Sequence, residues 1–212
     1  RLFSDRALAG ELDARGVFLS SANSINWGRL APQIVYYFSA YCDMVNTGEI
    51  KQGDKIAVCV PTGNFGNILA AYFAKEMGLP VNKLICASNS NKVLTDFFKT
   101  STYTTKREFL VTSSPSMDIL ISSNLERLLY LVSNRDAEKV SSLMEKLKAD
   151  GEYSVDENIT GMLDRVYAAG YCDDEQTAQT IQNLFADNGY LSDTHTAVAV
   201  KVYRDYLAQT GD

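Results

Sequence analysis

The chain has 212 residues, of which 46% are hydrophobic, so it can bury a full core in one domain or slightly more. Its net charge of −6, with no basic cluster and no apolar run long enough to cross a bilayer, argues against nucleic acid and membranes as partners. A lone histidine, His195, excludes mechanisms that need two, and four scattered cysteines without metal-ligand spacing predict no metal site and a reducing, cytoplasmic compartment.

The first elements in chain order are a helix, a strand and a second helix. Residues 1–15 place leucines on one helical face, and Gly16 closes that helix. Residues 17–21 form an apolar run that predicts a strand. After the polar segment 23–26, apolar side chains recur at helical spacing from about Trp27 to Val45.

Residues 56–79 predict a strand, a tight turn and a helix. The strand covers 56–60, and the turn carries Gly63 and Gly66 before the helix that Gly78 and Pro80 end. Such a turn binds phosphate when glycines let backbone N–H groups point inward and the helix dipole favours the anion. It is neither a Walker A loop nor the dinucleotide fingerprint, so an ordinary strand-to-helix turn stays open as the alternative.

A third strand is predicted at 83–88, followed by a short helix that includes Phe97 and Phe98. Strands near 17–21, 56–60 and 83–88 that alternate with helices predict an α/β fold. Its parallel sheet is flanked by helices, and ligands bind at the carboxyl ends of the strands.

The later half follows a different pattern. Residues 99–112 are polar and rich in threonine, which predicts a loop and an edge strand. Beyond Ser113 we predict five successive helices, most of them with an aspartate at the start. These helices are expected at 117–133, 136–149, 156–169, 174–188 and 193–207. The chain therefore divides into an α/β part, 1–113, and a mainly helical region, 114–212.

Four blocks of sequence together resemble threonine synthase of the longer bacterial and fungal type. They are SANSINWGRL (21–30), PTGNFGN (61–67), SPSMDILISSNLER (114–127) and DTHTAVA (193–199). The resemblance implies a pyridoxal 5'-phosphate enzyme of the tryptophan-synthase-β fold, with both regions in one large domain. It would convert O-phospho-L-homoserine and water into L-threonine and phosphate, as a monomer or homodimer.

The resemblance also implies which residues bind. The loop of Gly63, Asn64, Phe65, Gly66 and Asn67 would hold the cofactor phosphate through backbone N–H groups. In the first block, Asn23 and Arg29 match positions that bind the substrate phosphate.

Plainer roles remain open for four polar residues of these blocks. Arg29 could be a solvated or ion-paired cation, although a cation in the first turn of a helix is unfavourable unless an anion lies nearby. Asn23 and Asn26 could be helix caps, and capping is the preferred role for Asn26. His195 is expected to cap or pack rather than catalyse.

The departures from the family pattern concern catalysis. The family's Schiff-base lysine lies in a Phe-Lys-Asp-like block upstream of this sequence, and Phe98-Lys99-Thr100 lacks the aspartate and lies downstream of the phosphate loop. The threonine-bearing segment that contacts the pyridine nitrogen belongs beyond residue 212. The resemblance therefore implies an internal fragment that holds no catalytic residue and is inactive as cut.

Two other hypotheses remain open for the function. One is a phosphate-binding α/β module without chemistry. The other is a different pyridoxal-phosphate elimination enzyme, such as a serine/threonine dehydratase.

Overall fold

The computed structural model describes residues 5–20 and 23–211 of the chain. The α-helices are α1 (Arg6–Ala14), α2 (Trp27–Leu30), α3 (Ile34–Asn46), α4 (Gly66–Glu76), α5 (Val93–Thr100), α6 (Leu125–Val132), α7 (Ala137–Asp150), α8 (Glu157–Val166), α9 (Asp174–Asn188) and α10 (Thr194–Thr210). The strands are β1 (Ile56–Pro61), β2 (Val81–Ser88), β3 (Thr102–Thr104), β4 (Glu152–Ser154) and β5 (Tyr167–Tyr171). Two short 3₁₀ turns cover Ala31–Gln33 and Pro115–Met117.

Strands β1, β2 and β5 form a parallel sheet with β2 in the centre. Val60 pairs with Cys86 in the register of β1 and β2, and Ile85 pairs with Ala168 in the register of β2 and β5. Helix α4 connects β1 to β2, because parallel neighbours need a crossover rather than a hairpin. The predicted parallel α/β sheet flanked by helices is confirmed.

The third strand of this sheet is not the one that the sequence predicted. Residues 17–20 form no strand and residue 21 lies outside the described residues, while Phe18 is 83% exposed. The third strand is β5, whose first three residues were assigned to the helix at 156–169, so that prediction was wrong at its end. Pairing of Leu84 with Tyr167 and of Ile85 with Ala168 outweighs the weak strand propensity of alanine.

The mainly helical character of residues 114–212 is confirmed, with one further correction. Residues 118–124 are not helical, so the helix predicted at 117–133 is reduced to α6. Four aspartates cap helices by accepting backbone N–H groups at the first turn. They are Asp136 for α7, Asp156 for α8, Asp173 for α9 and Asp193 for α10. The predicted edge strand in 99–112 is β3, which pairs antiparallel with β4.

Alternate residues of β2 face two different cores. Leu84 and Cys86 belong to the larger cluster that includes α4, while Ile85 and Ala87 belong to a smaller cluster under α10. This alternation follows from the two-residue period of a strand, so β2 is buried on both faces. No helix within the described ranges is long and apolar enough to span a bilayer.

Helix α10 packs closely against the sheet at Gly170 of β5. A Cβ atom built on Gly170 would lie 2.8 Å from Cγ1 of Val202. We expect Gly170→Ala to lower the free energy of unfolding of the chain by about 1–3 kcal/mol, because a well-packed core resists an added methyl group. Urea denaturation of Gly170→Ala, Val202→Ala and the double variant tests this. The double variant should lose less free energy of unfolding than the sum of the losses in the two single variants. Losses that simply add would contradict the close contact.

Candidate functional site

An open cleft with a volume of about 450 Å³ lies where β1 ends and α4 begins. All seven residues that the sequence predicted as binding residues line it. The lining consists of Asn23, Ser24, Arg29, Gln33, Pro61, Thr62, Gly63, Asn64, Phe65, Gly66, Asn67 and Ser116. Neither aspartate nor glutamate is among these residues, and Arg29 carries the one formal charge of the lining. The cleft is therefore suited to an anion.

Backbone N–H groups at the start of α4 are donors in the cleft. Within the described part of the chain, the N–H groups of residues 63–68 donate to no acceptor, and the first intrahelical bond of α4 runs from the Leu69 N–H to the Phe65 carbonyl. A helix always leaves its first N–H groups without intrahelical acceptors, and the helix dipole makes this end partly positive. A phosphate group matches this set of donors.

The left-handed backbone conformation in the loop falls on Phe65 rather than on a glycine. Phe65 has φ = 62° and ψ = 8°, a conformation that turns successive N–H groups toward one side. Its ring is buried, with centroids 6.1 Å from Phe98 and 5.8 Å from Tyr167. Phe65 can thus contribute its backbone to the cleft while its side chain belongs to the core.

The two glycines of the loop make room for other segments of the chain. A Cβ atom on Gly63 would lie 2.6 Å from the Ser116 carbonyl oxygen, and one on Gly66 would lie 2.1 Å from Oγ of Ser24. Neither glycine has a positive φ. In the structure the two glycines allow the close approach of Ser24 and Ser116, whereas the sequence predicted that they let backbone N–H groups face a phosphate.

Asn23 and Arg29 lie beside this loop at the same end of the sheet. Oδ1 of Asn23 accepts the Ile25 N–H at 3.0 Å, which closes a turn. Oδ1 of Asn26 accepts the Gly28 N–H at 2.9 Å, so the helix-cap role predicted for Asn26 is confirmed. The exposed Arg29 side chain lies two residues into the helical run that begins at Trp27.

Sequence reasoning gave no role to Asn124 and Arg127, although both lie in the third block. Asn124 is fully buried, and its Nδ2 donates to Oγ of Ser24 at 3.0 Å and to the Asn64 carbonyl at 2.9 Å. The Arg127 guanidinium donates to the Ser24 carbonyl at 3.1 Å and to the Ile25 carbonyl. The only sequence feature that could have indicated either residue was its place in the third block. Their partners in the first two blocks lie 60 to 103 positions away in sequence.

His195 reaches the edge of the cleft without lining it. Its Nε2 accepts the Ser116 N–H at 3.3 Å, and its own backbone N–H donates to the Asp193 side chain at 2.9 Å. This arrangement agrees with the capping and packing role expected for His195.

Tyr37 lies against the far end of the loop. Its hydroxyl donates to the Asn67 carbonyl at 3.0 Å and also lies close to Oδ1 of Asn67. Burial raises the pKa of Tyr37, so the phenol stays protonated and acts as a donor at neutral pH.

The Asp118 carboxylate helps to hold the segment that carries Ser116 to the cleft. Burial alone raises the pKa of Asp118, but hydrogen bonds from Thr112, Asn89 and Asn91 outweigh it, so the pKa lies below its ordinary value of 3.8. The Thr112 N–H donates to Oδ2 at 3.0 Å, and the Asn89 and Asn91 amides donate to Oδ1 at 2.8 and 2.9 Å.

Comparison with known proteins gives one consistent result. No family profile matches the chain. Threonine synthase-like 1 of Homo sapiens is 47% identical over 207 residues, which cover 97% of this chain and 28% of that protein. Threonine synthase of Saccharomyces cerevisiae is 38% identical over 207 residues, which cover 92% of this chain and 40% of the yeast protein.

Solved structures agree with the sequence comparison. Yeast threonine synthase superposes with a TM-score of 0.88 at 34% identity, over 100% of this chain and 42% of that one. The pyridoxal-phosphate-bound threonine synthase of Brucella melitensis gives 0.86 at 41% identity, over 96% of this chain and 42% of that one. The chain is homologous to part of the threonine synthases. It spans well under half the length of the relatives that it matches.

The four blocks that carry the resemblance to threonine synthases meet in space. Ser24 of the first block contacts Gly66 of the second, and Asn124 of the third block binds both Ser24 and Asn64. His195 of the fourth block binds Ser116 of the third. Residues from all four blocks thus lie in or next to the cleft.

The lowered pKa of Asp118 gives a prediction for this segment of the threonine synthase fold. A carboxyl group whose pKa is lower in the folded state than in the unfolded state stabilises the fold when it is ionised. This stability is fully present above the ordinary pKa and is lost as the pH falls through the folded-state pKa. We expect Asp118→Asn to unfold at lower urea concentration than the wild type at pH 7, because an amide cannot accept all of these donors. The difference should shrink as the pH falls below about 3.8.

The matched control for Asp118→Asn is Asp187→Asn, on the exposed face of α9, where the described residues offer Asp187 no hydrogen bond. It should leave the urea midpoint unchanged at both pH values. A difference between Asp118→Asn and the wild type that stays constant with pH would contradict the role of the ionised carboxylate.

Proposed function

We propose that this chain forms the phosphate-binding part of a pyridoxal-phosphate-dependent threonine synthase. The complete enzyme would convert O-phospho-L-homoserine and water into L-threonine and phosphate. One observation supports this most directly: a single cleft free of carboxylate side chains combines a helix N-terminus with an arginine. The substrate and the cofactor each carry a phosphate group, so both need such a cleft.

The cofactor phosphate would be held by the N–H groups of residues 63–68. These groups donate to no described acceptor, so binding a phosphate oxygen breaks no internal hydrogen bond. The positive end of the α4 dipole adds attraction for the dianion. When bound, pyridoxal phosphate supplies the electron sink that lets the substrate lose protons from carbon.

The substrate phosphate would be held by Arg29 and Asn23. Arginine presents a planar fork of N–H donors that matches phosphate oxygens. Since Oδ1 of Asn23 already accepts the Ile25 N–H, the amide nitrogen is the group of this side chain left to donate to the ligand. These two residues would orient the phosphate ester and stabilise the phosphate that leaves.

Four free thiols, Cys42, Cys59, Cys86 and Cys172, support a reducing compartment, and we propose the cytoplasm. Burial raises the pKa of Cys59 to about 12 and that of Cys86 to about 12, which keeps both as inert thiols.

The test of the substrate site is kinetic. In the complete enzyme we expect Arg29→Ala to lower kcat/KM for O-phospho-L-homoserine roughly ten- to a hundred-fold, the effect of losing a charge-assisted hydrogen bond. Arg29→Lys should fall between Arg29→Ala and the wild type, and the absorption spectrum of the bound cofactor should not change. An unchanged kcat/KM, or release of the cofactor as the main effect, would contradict the assignment.

Product analysis of the same wild-type reaction decides between the related chemistries. L-threonine and phosphate in equal amounts are expected. A 2-oxo acid and ammonia in place of threonine would indicate the dehydratase-type reaction, in which water hydrolyses the product imine instead of adding at the β-carbon. Absence of any turnover would favour a phosphate-binding module without chemistry.

A second prediction concerns the 212-residue chain alone. None of the cleft-lining residues is a lysine, so the cleft lining supplies no amine to hold the cofactor covalently or to move a proton at the substrate α-carbon. We expect no threonine synthase activity from this chain. After incubation with pyridoxal phosphate and reduction by borohydride, peptide mapping should find no single lysine labelled stoichiometrically. One such lysine would contradict the prediction.

A further inference from the structure

The two loops of the cleft are joined by side chains rather than by their own backbones. We call residues 23–29 the substrate loop and residues 63–67 the cofactor loop. Within the described residues, no backbone hydrogen bond connects the two loops. Their relative position must therefore be set by packing and by side chains from elsewhere.

Asn124 bridges the loops with one amide group. Its Nδ2 donates to Oγ of Ser24 in the substrate loop at 3.0 Å and to the Asn64 carbonyl in the cofactor loop at 2.9 Å. Its backbone N–H donates to the same Asn64 carbonyl at 3.1 Å. A fully buried amide with this many short contacts has little freedom to move.

Arg127 fixes the orientation of that amide and also binds the substrate loop directly. One guanidinium nitrogen donates to Oδ1 of Asn124 at 2.8 Å and to the Ser24 carbonyl at 3.1 Å, and the other donates to the Ile25 carbonyl. No carboxylate of the described residues lies within ion-pair distance of this guanidinium. Its charge is therefore directed at backbone carbonyls, which makes these bonds charge-assisted.

Gly66 completes the contact between the loops. Since a Cβ atom on Gly66 would lie 2.1 Å from Oγ and 2.3 Å from Cβ of Ser24, the Ser24 side chain occupies the space that any other residue would fill. The substrate loop thus fits on the cofactor loop at one position, and Asn124 and Arg127 hold it there.

We propose that Asn124 and Arg127 are positioning residues. They hold Asn23 and Arg29 at a fixed distance from the cofactor loop, so that the sites for the cofactor phosphate and the substrate phosphate keep a fixed separation. The inference rests on the proposed function. A loop that is already held in its binding position binds its ligand more tightly than a mobile loop, because less ordering is needed on binding. Neither residue needs to touch a ligand for this role.

The experiment compares variants of the complete enzyme with its cofactor bound. Arg127→Met removes the charge but keeps the length of the side chain, and Arg127→Lys keeps the charge without the fork. The matched control is Arg204→Met, because Arg204 is exposed on α10 and makes no hydrogen bond with the described residues. The measurements are kcat and KM for O-phospho-L-homoserine, cofactor occupancy from its absorption, and hydrogen exchange of peptides covering 23–30.

We expect Arg127→Met to raise KM roughly ten- to a hundred-fold with a smaller change in kcat, as expected when charge-assisted bonds that position the substrate loop are lost. Hydrogen exchange at 23–30 should become faster while exchange in β2 and the cofactor occupancy stay as in the wild type. Arg127→Lys should lie between the two, and Arg204→Met should match the wild type.

Three results would overturn the inference: an unchanged KM, unchanged exchange at 23–30, or a fall in cofactor occupancy that accounts for the whole loss of activity. If Arg127→Met does not fold, Ser24→Ala replaces it, because it removes only the hydroxyl that Asn124 binds. A rise in KM of about three- to ten-fold is then expected, and no rise contradicts the proposal. If the proposed function is wrong, the wild-type enzyme itself produces no threonine. That result would overturn both the proposed function and the positioning role.

Discussion

The first N–H groups of a helix have no intrahelical acceptors, and the architecture around α4 depends on how this chain treats those groups. Here these N–H groups face a cleft. No side chain caps them, because Phe65 at the start of α4 makes no side-chain hydrogen bond to the helix. Keeping them open requires a left-handed residue, two glycines that other segments approach closely, and a border without carboxylates. The parallel sheet places all of these at one edge.

Much of this could be predicted from local sequence. The strand, turn and helix at 56–79 follow from an apolar run, two glycines and helical spacing, and β1 and α4 agree with that prediction. Helices α7, α9 and α10 were found because aspartate caps and helical periodicity are local signals. The location of Asn23 and Arg29 beside the loop follows once the family resemblance is accepted.

The errors share one physical cause, which is that strands are stabilised by their neighbours. Residues 17–20 have the composition of a strand but no described strand pairs with them, while Ala168 and Ala169 have helical composition and pair with β2. The same limit hid Asn124 and Arg127. Their partners are distant in sequence, and no local pattern reports a contact between residues 24 and 124.

The distance along the chain between those partners has a consequence for folding. The sheet needs β5 to pair with β2 across about 80 residues, and the two loops of the cleft are joined by contacts spanning 60 to 103 residues. Contacts between distant residues form late, because closing a long loop costs entropy before any contact compensates for it. We therefore expect the cleft to be among the last features to assemble as the chain folds. A ligand that binds only the assembled cleft would stabilise the folded state by mass action.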